Sequence, residues 1–403
     1  MPPLRIVFIS SNQEWGGSET LWSAAAAALS GDGHEVIAYK NVLDPRAPAT
    51  ATLSATGARL IQLARVPLLG IRLDRLFAML GRPISFGYQA MLLYVSLKLR
   101  RRPDLVVLSQ GGNHDGWLFA AICLKLGLPY VLISHKASDL YWPQDRWRAR
   151  VRAAFDGALH AFFVSQHTLR LTQEQLGTTL GSASVVRNPF AVAWDTPQAW
   201  PSPEQGIKFA CVGRLYPMEK GQDILIRVLA RPRWRDRPVS LTFFGLGEQR
   251  AALEDMARFY GLPNVRFAGF SPDVPGIWAD HHALLLTSRA EGLPLVVVEA
   301  MLSGRVPIVS DVAGNAELIE DGVTGFVATA ATEDAVDEAM ERAWDARADW
   351  QMIGARAAGH ARSAVPPDPA SVLSKLLVGF CRGSPSADSV RNATRPVSPT
   401  GTP

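Results

Sequence analysis

Short apolar, strand-like runs alternate with helical segments along this chain, and the alternation occurs twice. In the first half, the runs at 4–9, 104–108 and 130–133 are separated by helical segments, one of them at 117–126. In the second half, the same order begins again with the run IKFACVG at 207–213. Strands that alternate with helices form parallel sheets covered by helices on both faces. The sequence therefore predicts an α/β protein with two doubly wound, Rossmann-like domains.

A segment without periodicity separates the two halves. Residues 191–206 read AVAWDTPQAWPSPEQG, with three prolines, which is typical of an interdomain linker. We predict an N-terminal domain over 1–195 and a C-terminal domain over 196–382 that ends in a closing helix. A disordered tail is predicted over 383–403, because that stretch has no large apolar side chains apart from two valines. Ligands bind at the carboxyl ends of parallel strands, so we expect the two domains to face a cleft.

The cysteine pattern and the apolar runs exclude several classes of protein. Cys123, Cys211 and Cys381 lie far apart without a C-x-x-C pattern, so neither a disulfide framework nor a structural zinc site is supported. The N-terminus lacks the features of a signal peptide. Charge or proline interrupts each apolar stretch before the roughly eighteen residues that a membrane span needs. We expect a cytoplasmic protein, with the inner face of the cytoplasmic membrane as the alternative position.

Positive charge is concentrated in the first half of the chain. Residues 59–102 contain nine basic side chains and a single acid, Asp74. Leucines and aromatic residues lie among these cations, and 142–152 adds two tryptophans among arginines, a mixture that suits an anionic membrane surface. Helices with solvated basic faces are an equally good alternative. The cations are not interleaved with aromatic residues as a stacking platform, so no nucleic-acid partner is predicted.

Two carboxylates in the segment SRAEGLPLVVVEAM are the most informative candidates for a binding site. Glu291 ends a strand-to-helix loop, and Glu299 lies within an otherwise apolar helix, where a carboxylate is costly without a partner. The two hydroxyls of a ribose would satisfy it. Pro294 suits the first helical position, and the free amides of Leu295 and Val296 favour a diphosphate. The alternative is that Glu299 is a structural cap or part of a core ion pair.

Two cations follow the first strand of the second domain. Arg214 and Lys220, in GRLYPMEKG, would lie at the carboxyl end of that strand, where they can neutralise a leaving diphosphate. The chain contains no D-x-D pattern, so we expect no metal site and metal-independent chemistry. The alternative is an exposed surface pair without a ligand.

Further candidates lie in the first domain. Gly17, in the GGSE that follows the first strand, permits close approach of a phosphate or sugar, and Ser18 is predicted to cap the helix. A tight turn explains these glycines equally well, and the absence of G-x-G-x-x-G argues against a dinucleotide. His135 follows the strand YVLIS, where it could hydrogen-bond a sugar hydroxyl or an oxyanion. His114 has a similar position after another strand.

These segments resemble the retaining nucleotide-sugar glycosyltransferases of family 4, which have the two-domain GT-B fold. The resemblance runs from Arg5 to about Ala343 and rests on the E-x7-E pattern, on GRL…EKG, on NVRFAGF and on DVAGNAELIEDGVTGF. It implies that Glu291 contacts the donor sugar at the reaction centre and that Glu299 holds the nucleotide ribose.

The resemblance also assigns roles to the remaining candidates. Arg214 and Lys220 match the residues that bind the donor diphosphate, His135 resembles the histidine near the transferred sugar, and Gly17 resembles the glycine that approaches the phosphate. Asn188 lies where the family often has Asn-Gly, but Pro189 departs from that pattern. We therefore leave Asn188 out of the predicted site.

The resemblance implies the transfer of a sugar from a nucleoside-diphosphate sugar to an acceptor hydroxyl, with retention of the anomeric configuration. The acceptor would be a saccharide or a lipid-linked molecule in cell-envelope glycan or glycolipid assembly, and no cofactor is expected apart from the donor substrate. Two alternatives stay open: a nucleotide-sugar epimerase of the same fold, and a relative that binds a nucleotide sugar without turning it over.

Overall fold

The computed structural model describes residues 2–13, 15–45, 47–63, 87–196, 198–202 and 206–383. Most of the basic segment 59–102 and nearly all of the predicted tail lie outside these residues. Within the described ranges, no helix combines the length and the apolar character needed to cross a membrane.

The chain forms two compact units. The first contains the residues up to Ala137, those of 141–189, and the segment that begins at Asp368. The second contains residues 138–140 and 190–367. The structure therefore divides the chain a few residues before the predicted boundary. It also groups the closing helix with the first unit, whereas the sequence analysis assigns that helix to the second domain.

A parallel sheet of seven strands forms the centre of the first unit, with the order β3-β2-β1-β4-β5-β6-β7. Ile6 of β1 pairs with Val36 of β2 on one side and with Leu105 of β4 on the other. The strands are β1 (Arg5–Ser10), β2 (Glu35–Lys40), β3 (Arg59–Gln62), β4 (Leu105–Gly112), β5 (Tyr130–Lys136), β6 (His160–Phe163) and β7 (Ala183–Val185).

Helices cover both faces of this sheet. Successive residues of each buried strand point to opposite faces, so each strand has apolar side chains on both faces that need cover. The helices are α1 (Gly17–Gly31), α2 (Pro48–Ala55), α3 (Gly87–Leu99), α4 (Trp117–Leu126), α5 (Asp145–Asp156), α6 (Gln166–Leu176) and, numbered in chain order, α15 (Pro369–Cys381). Ile6 and Phe8 pack with α1, α2 and α15, whereas Val7 and Ile9 pack with α3, α4, α5 and α6.

The second unit is built in the same way around a parallel sheet of six strands with the order β10-β9-β8-β11-β12-β13. Its strands are β8 (Ile207–Val212), β9 (Val239–Phe244), β10 (Val265–Gly269), β11 (Ala283–Leu286), β12 (Val306–Ser310) and β13 (Phe326–Ala328). Its helices are α7 (Pro217–Lys220), α8 (Gln222–Leu229), α9 (Pro232–Arg235), α10 (Arg250–Phe259), α11 (Val274–Asp280), α12 (Leu295–Leu302), α13 (Glu333–Asp345) and α14 (Trp350–Ala364).

Each sheet has a point where the strand order reverses. In the first unit β1 lies between β2 and β4, and in the second β8 lies between β9 and β11. The connections on the two sides of such a strand leave in opposite directions and open a crevice at its carboxyl end. The loops after β1 and β8 are thus the expected ligand-binding positions, and they carry Gly17, Arg214 and Lys220.

The predicted α/β class with two Rossmann-like domains is confirmed, but two helix starts differ from the prediction. Helix α1 begins at Gly17 with extended Gly16 as its N-cap, and no side chain caps it. The predicted cap at Ser18 is therefore wrong; its hydroxyl instead accepts a hydrogen bond from Asn12 Nδ2 at 2.8 Å. Pro294 is the N-cap of α12 rather than its first residue.

Candidate active site

Two loops of the second unit bring Lys220 and Glu291 together. Lys220 ends α7 after β8, and Glu291 lies in the loop between β11 and α12. Lys220 Nζ donates to Glu291 Oε1 in a close ion pair, and Ser288 Oγ donates to the same oxygen at 2.7 Å. Glu291 is buried, and its negative charge is balanced within the site. An ammonium group has three donors, so Lys220 can also bind an anionic ligand.

Arg214 supplies a second, more exposed cation on the loop that leads to Lys220. Its side chain is 53% exposed, and its guanidinium lies 5.3 Å from the centre of the Tyr216 ring and 3.6 Å from Glu219 Oε2. The carbonyl oxygen of Arg214 accepts a hydrogen bond from Gln222 Nε2 at 2.8 Å, which fixes the backbone of the loop. Since about half of its side chain is exposed, an anion from solvent can also reach the guanidinium.

Arg289, which sequence reasoning missed, ties the Lys220 loop to the Glu291 loop. Its backbone amide donates to the carbonyl oxygen of Glu219 at 2.7 Å, and its Nη1 donates to that of Pro217 at 2.7 Å. Its guanidinium also contacts both carboxylate oxygens of Asp223, at 2.7 and 2.9 Å. Such a bidentate pair has a fixed geometry. Arg289 thereby holds the turn before Lys220 against the residues next to Glu291.

Asp223 stays ionised in this arrangement. Burial alone would raise the pKa of Asp223, but hydrogen bonds and charge from Arg289 and Arg227 outweigh it and hold the pKa below its usual value. The carboxylate is therefore a stable anchor for Arg289 at neutral pH.

The turn after Lys220 admits only glycine. Gly221 has a φ of +64°, and a Cβ there would lie 2.0 Å from the carbonyl oxygen of Thr287. The carbonyl oxygen of Gly221 accepts a hydrogen bond from Thr287 Oγ1 at 2.8 Å. The close approach of these two segments, one from each loop, places Lys220 next to Glu291.

Helix α12 presents the remaining predicted donor-binding residues of the second unit. Leu295 and Val296 occupy its first turn, where backbone amides have no carbonyl partner one turn earlier in the helix. Glu299 lies on the same helix and is buried, and its Oε1 accepts a hydrogen bond from the Ala191 amide at 3.0 Å. Among the described residues no cation forms an ion pair with Glu299, which contradicts the ion-pair alternative.

Burial gives Glu299 an unusual protonation equilibrium. It raises the pKa of this carboxyl, and the Ala191 amide opposes the change only in part. A buried carboxylate of this kind gains from additional hydrogen-bond donors. Glu299 is therefore suited to accept hydrogen bonds from a pair of ligand hydroxyls.

In the first unit, a buried ion pair holds the loop that precedes Gly17. Lys40 Nζ lies 2.9 Å from Glu19 Oε2, and both side chains are almost completely buried. The Glu19 carboxylate also accepts hydrogen bonds from Ser10 Oγ at 3.0 Å, Asn12 Nδ2 at 2.9 Å and Trp22 Nε1 at 2.9 Å. Burial lowers the pKa of Lys40, and the charge and hydrogen bond of Glu19 oppose that change. This network was missed from the sequence, where only Gly17 and Ser18 were singled out.

His135 lies near the end of β5, buried at the carboxyl edge of the first sheet. Its Nε2 and Ser109 Oγ share a hydrogen bond of 3.1 Å. Burial lowers the pKa of His135 to about 4, although the nearby Asn188 side chain acts in the opposite direction. The imidazole is therefore neutral at pH 7. Asn188, excluded from the predicted site because of Pro189, is thus a neighbour of His135.

His114 has a local role: its Nδ1 shares a hydrogen bond of 3.1 Å with Asn113 Oδ1. Gly17 and His135 belong to the first unit, and the other predicted site residues belong to the second. Among the residues that the structure describes, no three His, Cys, Asp or Glu side chains cluster in a way that could hold a metal ion.

Family models match both halves of the chain. The model described as Glycosyltransferase Family 4 matches residues 15–193, and the model described as Glycosyl transferases group 1 matches residues 206–346. The chain therefore belongs to glycosyltransferase family 4, as the sequence motifs predict.

Curated relatives share about a third of the aligned residues. A GDP-mannose-dependent alpha-(1-6)-phosphatidylinositol monomannoside mannosyltransferase from Mycolicibacterium smegmatis is 31% identical over 265 residues, which cover 57% of this chain and 67% of that protein. The glycogen synthase of Pseudomonas syringae pv. syringae is 31% identical over 280 residues, which cover 60% of this chain and 57% of that enzyme. The chain thus spans a little over half the length of the glycogen synthase.

Solved structures of low sequence identity share the fold. HepE from Anabaena, in complex with UDP and glucose, has a TM-score of 0.74 at 20% identity, covering 94% of this chain and 100% of that one. Sucrose-phosphate synthase from Thermosynechococcus elongatus has a TM-score of 0.72 at 16% identity, covering 94% of this chain and 100% of the other. The two Rossmann-like domains of the present chain therefore have the architecture of the GT-B glycosyltransferases.

Proposed function

We propose that this protein transfers a sugar from a nucleoside-diphosphate sugar to an acceptor hydroxyl, with retention of the anomeric configuration. The observation that carries the proposal is the contact of Lys220 with Glu291, shortly before the first turn of α12. Membership of the family supports it. HepE in complex with UDP-glucose has the same fold, which fits a nucleotide-sugar donor.

The donor would bind with its diphosphate at Arg214, Lys220 and the amides of Leu295 and Val296. Glu299 would accept hydrogen bonds from the ribose hydroxyls, since its buried carboxyl gains from such donors. Glu291, held in place by Ser288, would contact the sugar beside the reacting carbon. In the first unit, Gly17 would approach a phosphate or the sugar, and neutral His135 would hydrogen-bond a sugar hydroxyl.

In the reaction, the bond between the anomeric carbon and the diphosphate oxygen breaks first, and the sugar gains oxocarbenium character. The two cations and the helix amides stabilise the negative charge that develops on the diphosphate. The acceptor oxygen then bonds to the anomeric carbon from the face that the leaving group occupied. The acceptor's proton passes to the departing diphosphate, so that atoms and charge balance.

Arg214 and Lys220 supply the positive charge that this leaving group needs. We therefore propose that the transfer proceeds without a metal cofactor. The acceptor is proposed to be a saccharide or a lipid-linked molecule of a cell-envelope glycan or glycolipid. The mannosyltransferase relative, named for a phosphatidylinositol monomannoside, supports a lipid-linked acceptor. The glycogen synthase relative supports a saccharide acceptor.

The test is a panel of UDP-, GDP- and ADP-sugars, added to the purified protein without acceptor. We expect one donor to raise the melting temperature and to be hydrolysed slowly. Glu299→Ala should abolish the shift. Lys208→Ala is a matched control for changes at Lys220, because the two lysine side chains are 22% and 21% exposed and each pairs with one carboxylate of the second unit. Lys208→Ala should keep both the rise in melting temperature and the slow hydrolysis of the donor.

Each alternative gives its own result in this assay. Conversion of the donor into a different nucleoside-diphosphate sugar without acceptor would indicate the epimerase. Stabilisation by a donor that is not hydrolysed would indicate a binding protein. Absence of stabilisation by every donor would contradict the proposed donor site.

A further inference from the structure

Helix α3 carries apolar side chains on two opposite faces. Leu93 and Leu97 are buried against the sheet of the first unit. Met91, Val95 and Leu99 are 55%, 43% and 79% exposed and recur every fourth residue, which places them in one line along the outer face. An outer helix face of a soluble protein normally carries polar residues at such positions. This line of large apolar side chains therefore needs a partner or a function.

Positively charged side chains lie around the C-terminal end of this line of apolar residues. Lys98 follows Val95 on the same face, and Lys125 of α4 lies beside it, since both ammonium groups lie over the Tyr94 ring at 5.9 and 5.1 Å. Leu124 adds another exposed apolar side chain. We call this surface the α3–α4 patch; it comprises Met91, Val95, Leu99 and Leu124 together with Lys98, Arg100, Arg101, Arg102 and Lys125.

The positive charge of the patch is not balanced locally. Within the described ranges, none of its five cations forms an ion pair with an acidic side chain. Arg102 contacts the carbonyl oxygen of Gly127, and Arg100 Nε donates to Ser96 Oγ at 3.1 Å, both of which leave the cationic charge intact. The patch therefore combines exposed aliphatic side chains with uncompensated positive charge.

We propose that the α3–α4 patch binds the surface of a membrane that contains anionic phospholipids. Aliphatic side chains of a surface helix enter the boundary between headgroups and acyl chains, while flanking lysines and arginines contact lipid phosphates. A nucleic acid would use the cations through its phosphates but would not cover the aliphatic line. The chemistry of the patch thus favours a lipid surface.

The basic segment 142–152 is the other membrane candidate of the sequence analysis. There the guanidinium groups of Arg146 and Arg150 lie over the Trp147 ring at 5.1 and 4.9 Å, and Arg150 also lies 5.3 Å from the Trp117 ring. These two cations lie over rings that are only half exposed. Trp142, the other tryptophan of the segment, is 58% exposed. We place the binding at the α3–α4 patch because its cations flank a line of exposed aliphatic side chains.

Membrane binding does not depend on glycosyl transfer and is measured without donor or acceptor. Its consequence for catalysis, access to a lipid-linked acceptor, rests on the proposed function. A protein that fails to bind vesicles could still bind and hydrolyse the donor. A protein that fails in the donor assay could still bind vesicles.

The test is flotation of the purified protein with unilamellar vesicles of phosphatidylcholine alone or of phosphatidylcholine with phosphatidylglycerol, at low and at high salt. We expect binding to the anionic vesicles that weakens at high salt. Lys98→Ala with Arg101→Ala should lower the partition coefficient about 30-fold, since each cation contributes about fivefold at such a surface. Met91→Ser, Val95→Ser and Leu99→Ser together should lower it by about tenfold or more.

Matched controls lie on the second unit. Phe259→Ser removes an apolar side chain that is 82% exposed, and Arg258→Ala removes an exposed cation; both should bind the vesicles as the wild type does. Circular dichroism melts should show that the patch variants stay folded, because the changed side chains are exposed. Wild-type protein that ignores anionic vesicles, patch variants that bind undiminished, or salt-sensitive binding to a DNA duplex alone would each overturn the proposal.

Discussion

Lys220 and Glu291 form a close ion pair that joins the loop after β8 to the loop after β11. Each residue comes from a separate strand-to-helix connection, and 70 residues of sequence separate them. The pairing exists because β8 and β11 are neighbours in the sheet and their carboxyl ends meet at one edge. The fold thus creates a charged pair where the ligand crevice of a doubly wound sheet lies.

The first prediction concerns the charge of Lys220. Removing a positive charge that stabilises a developing anion commonly costs on the order of 10²–10³ in rate. Lys220→Ala should therefore reduce the turnover of donor by about this factor, and Glu291→Ala should be severely impaired as well. Steady-state release of nucleoside diphosphate measures both.

Lys208→Ala controls for the loss of a lysine in the same unit and should turn over the donor at the wild-type rate. Melting temperatures separate lost catalysis from lost folding. Near-normal turnover in both Lys220→Ala and Glu291→Ala would contradict the assignment of these residues.

The second prediction concerns Arg289 as a positioning residue. Arg289→Ala removes the contacts to Pro217 and Asp223 and should let the Lys220 and Glu291 loops move apart. Displacement of a reacting group by about 1 Å can cost about a hundredfold in rate. We expect kcat to fall between about tenfold and a hundredfold, with a smaller change in KM for the donor.

Arg227→Ala is the matched control for this change. Arg227 also contacts Asp223, at 2.8 Å, but it lies on α8 and, within the part of the chain that the structure describes, forms ion pairs only with Asp223 and Glu333. Its kcat should stay within about threefold of the wild type. Equal losses in the two variants would assign Arg289 a general structural role.

The third prediction is that the folded protein becomes less stable in acid because of His160. Burial lowers the pKa of His160 to about 4, and in the unfolded chain its pKa is near the ordinary histidine value of 6.5. Between these values the unfolded chain binds the proton and the folded one does not. The free energy of unfolding should thus fall as the pH decreases from 6.5 to 4, by up to about 1.4 kcal/mol per pH unit for this residue.

The measurement is urea unfolding at several pH values for the wild type and for His160→Gln. The difference between the wild-type and variant curves gives the contribution of His160 alone. This separation is needed because burial also lowers the pKa of His135 to about 4. The variant should show a shallower dependence between pH 6.5 and pH 4. Parallel curves would show that His160 is not buried in its neutral form.

The fourth prediction concerns strain at Ala313. This residue has a φ of +54°, a left-handed conformation that costs a non-glycine residue about 1–2 kcal/mol. Glycine removes that cost but loses about 0.5–1 kcal/mol of entropy on folding. Ala313→Gly should therefore be neutral or up to about 1.5 kcal/mol more stable.

Ala346→Gly provides the comparison, because Ala346 has a φ of −86° and no strain to relieve. It should lower the free energy of unfolding by about 0.5–1 kcal/mol. Thermal melts of the two variants against the wild type measure both. A larger loss in Ala313→Gly than in Ala346→Gly would show that the left-handed conformation is not maintained in solution.

The sequence predicted those elements whose signal is local. Helix α4 begins and ends at the predicted residues, because its apolar residues are bounded by Gly116 and by left-handed Gly127. Strand β3 was missed because it lies at the sheet edge, where Arg59 is exposed and the other three residues are only half buried, and because it lacks a clear apolar pattern. The unit to which α15 belongs was also missed, because an apolar helix face does not reveal which sheet it covers.

For the candidate site, motif residues were predictable and their supports were not. Glu291 and Lys220 stand in recognisable patterns, whereas Arg289 supports them through contacts to Pro217 and Asp223, some 70 residues earlier in the chain. The pair of Glu19 with Lys40 links a helix to a neighbouring strand in the same way. Such pairings depend on the three-dimensional arrangement of the elements, and a single sequence carries no signal for them.

The most direct test of the proposed transfer is proton NMR of donor hydrolysis. The donor that raises the melting temperature most is incubated with wild type, Lys220→Ala and Lys208→Ala. We predict that nucleoside diphosphate and sugar appear in equal amounts, with the first-released sugar in the anomeric form of the donor, for the wild type and Lys208→Ala only. An intact donor with the wild type, sugar released first as the opposite anomer, or an undiminished rate with Lys220→Ala would contradict the account.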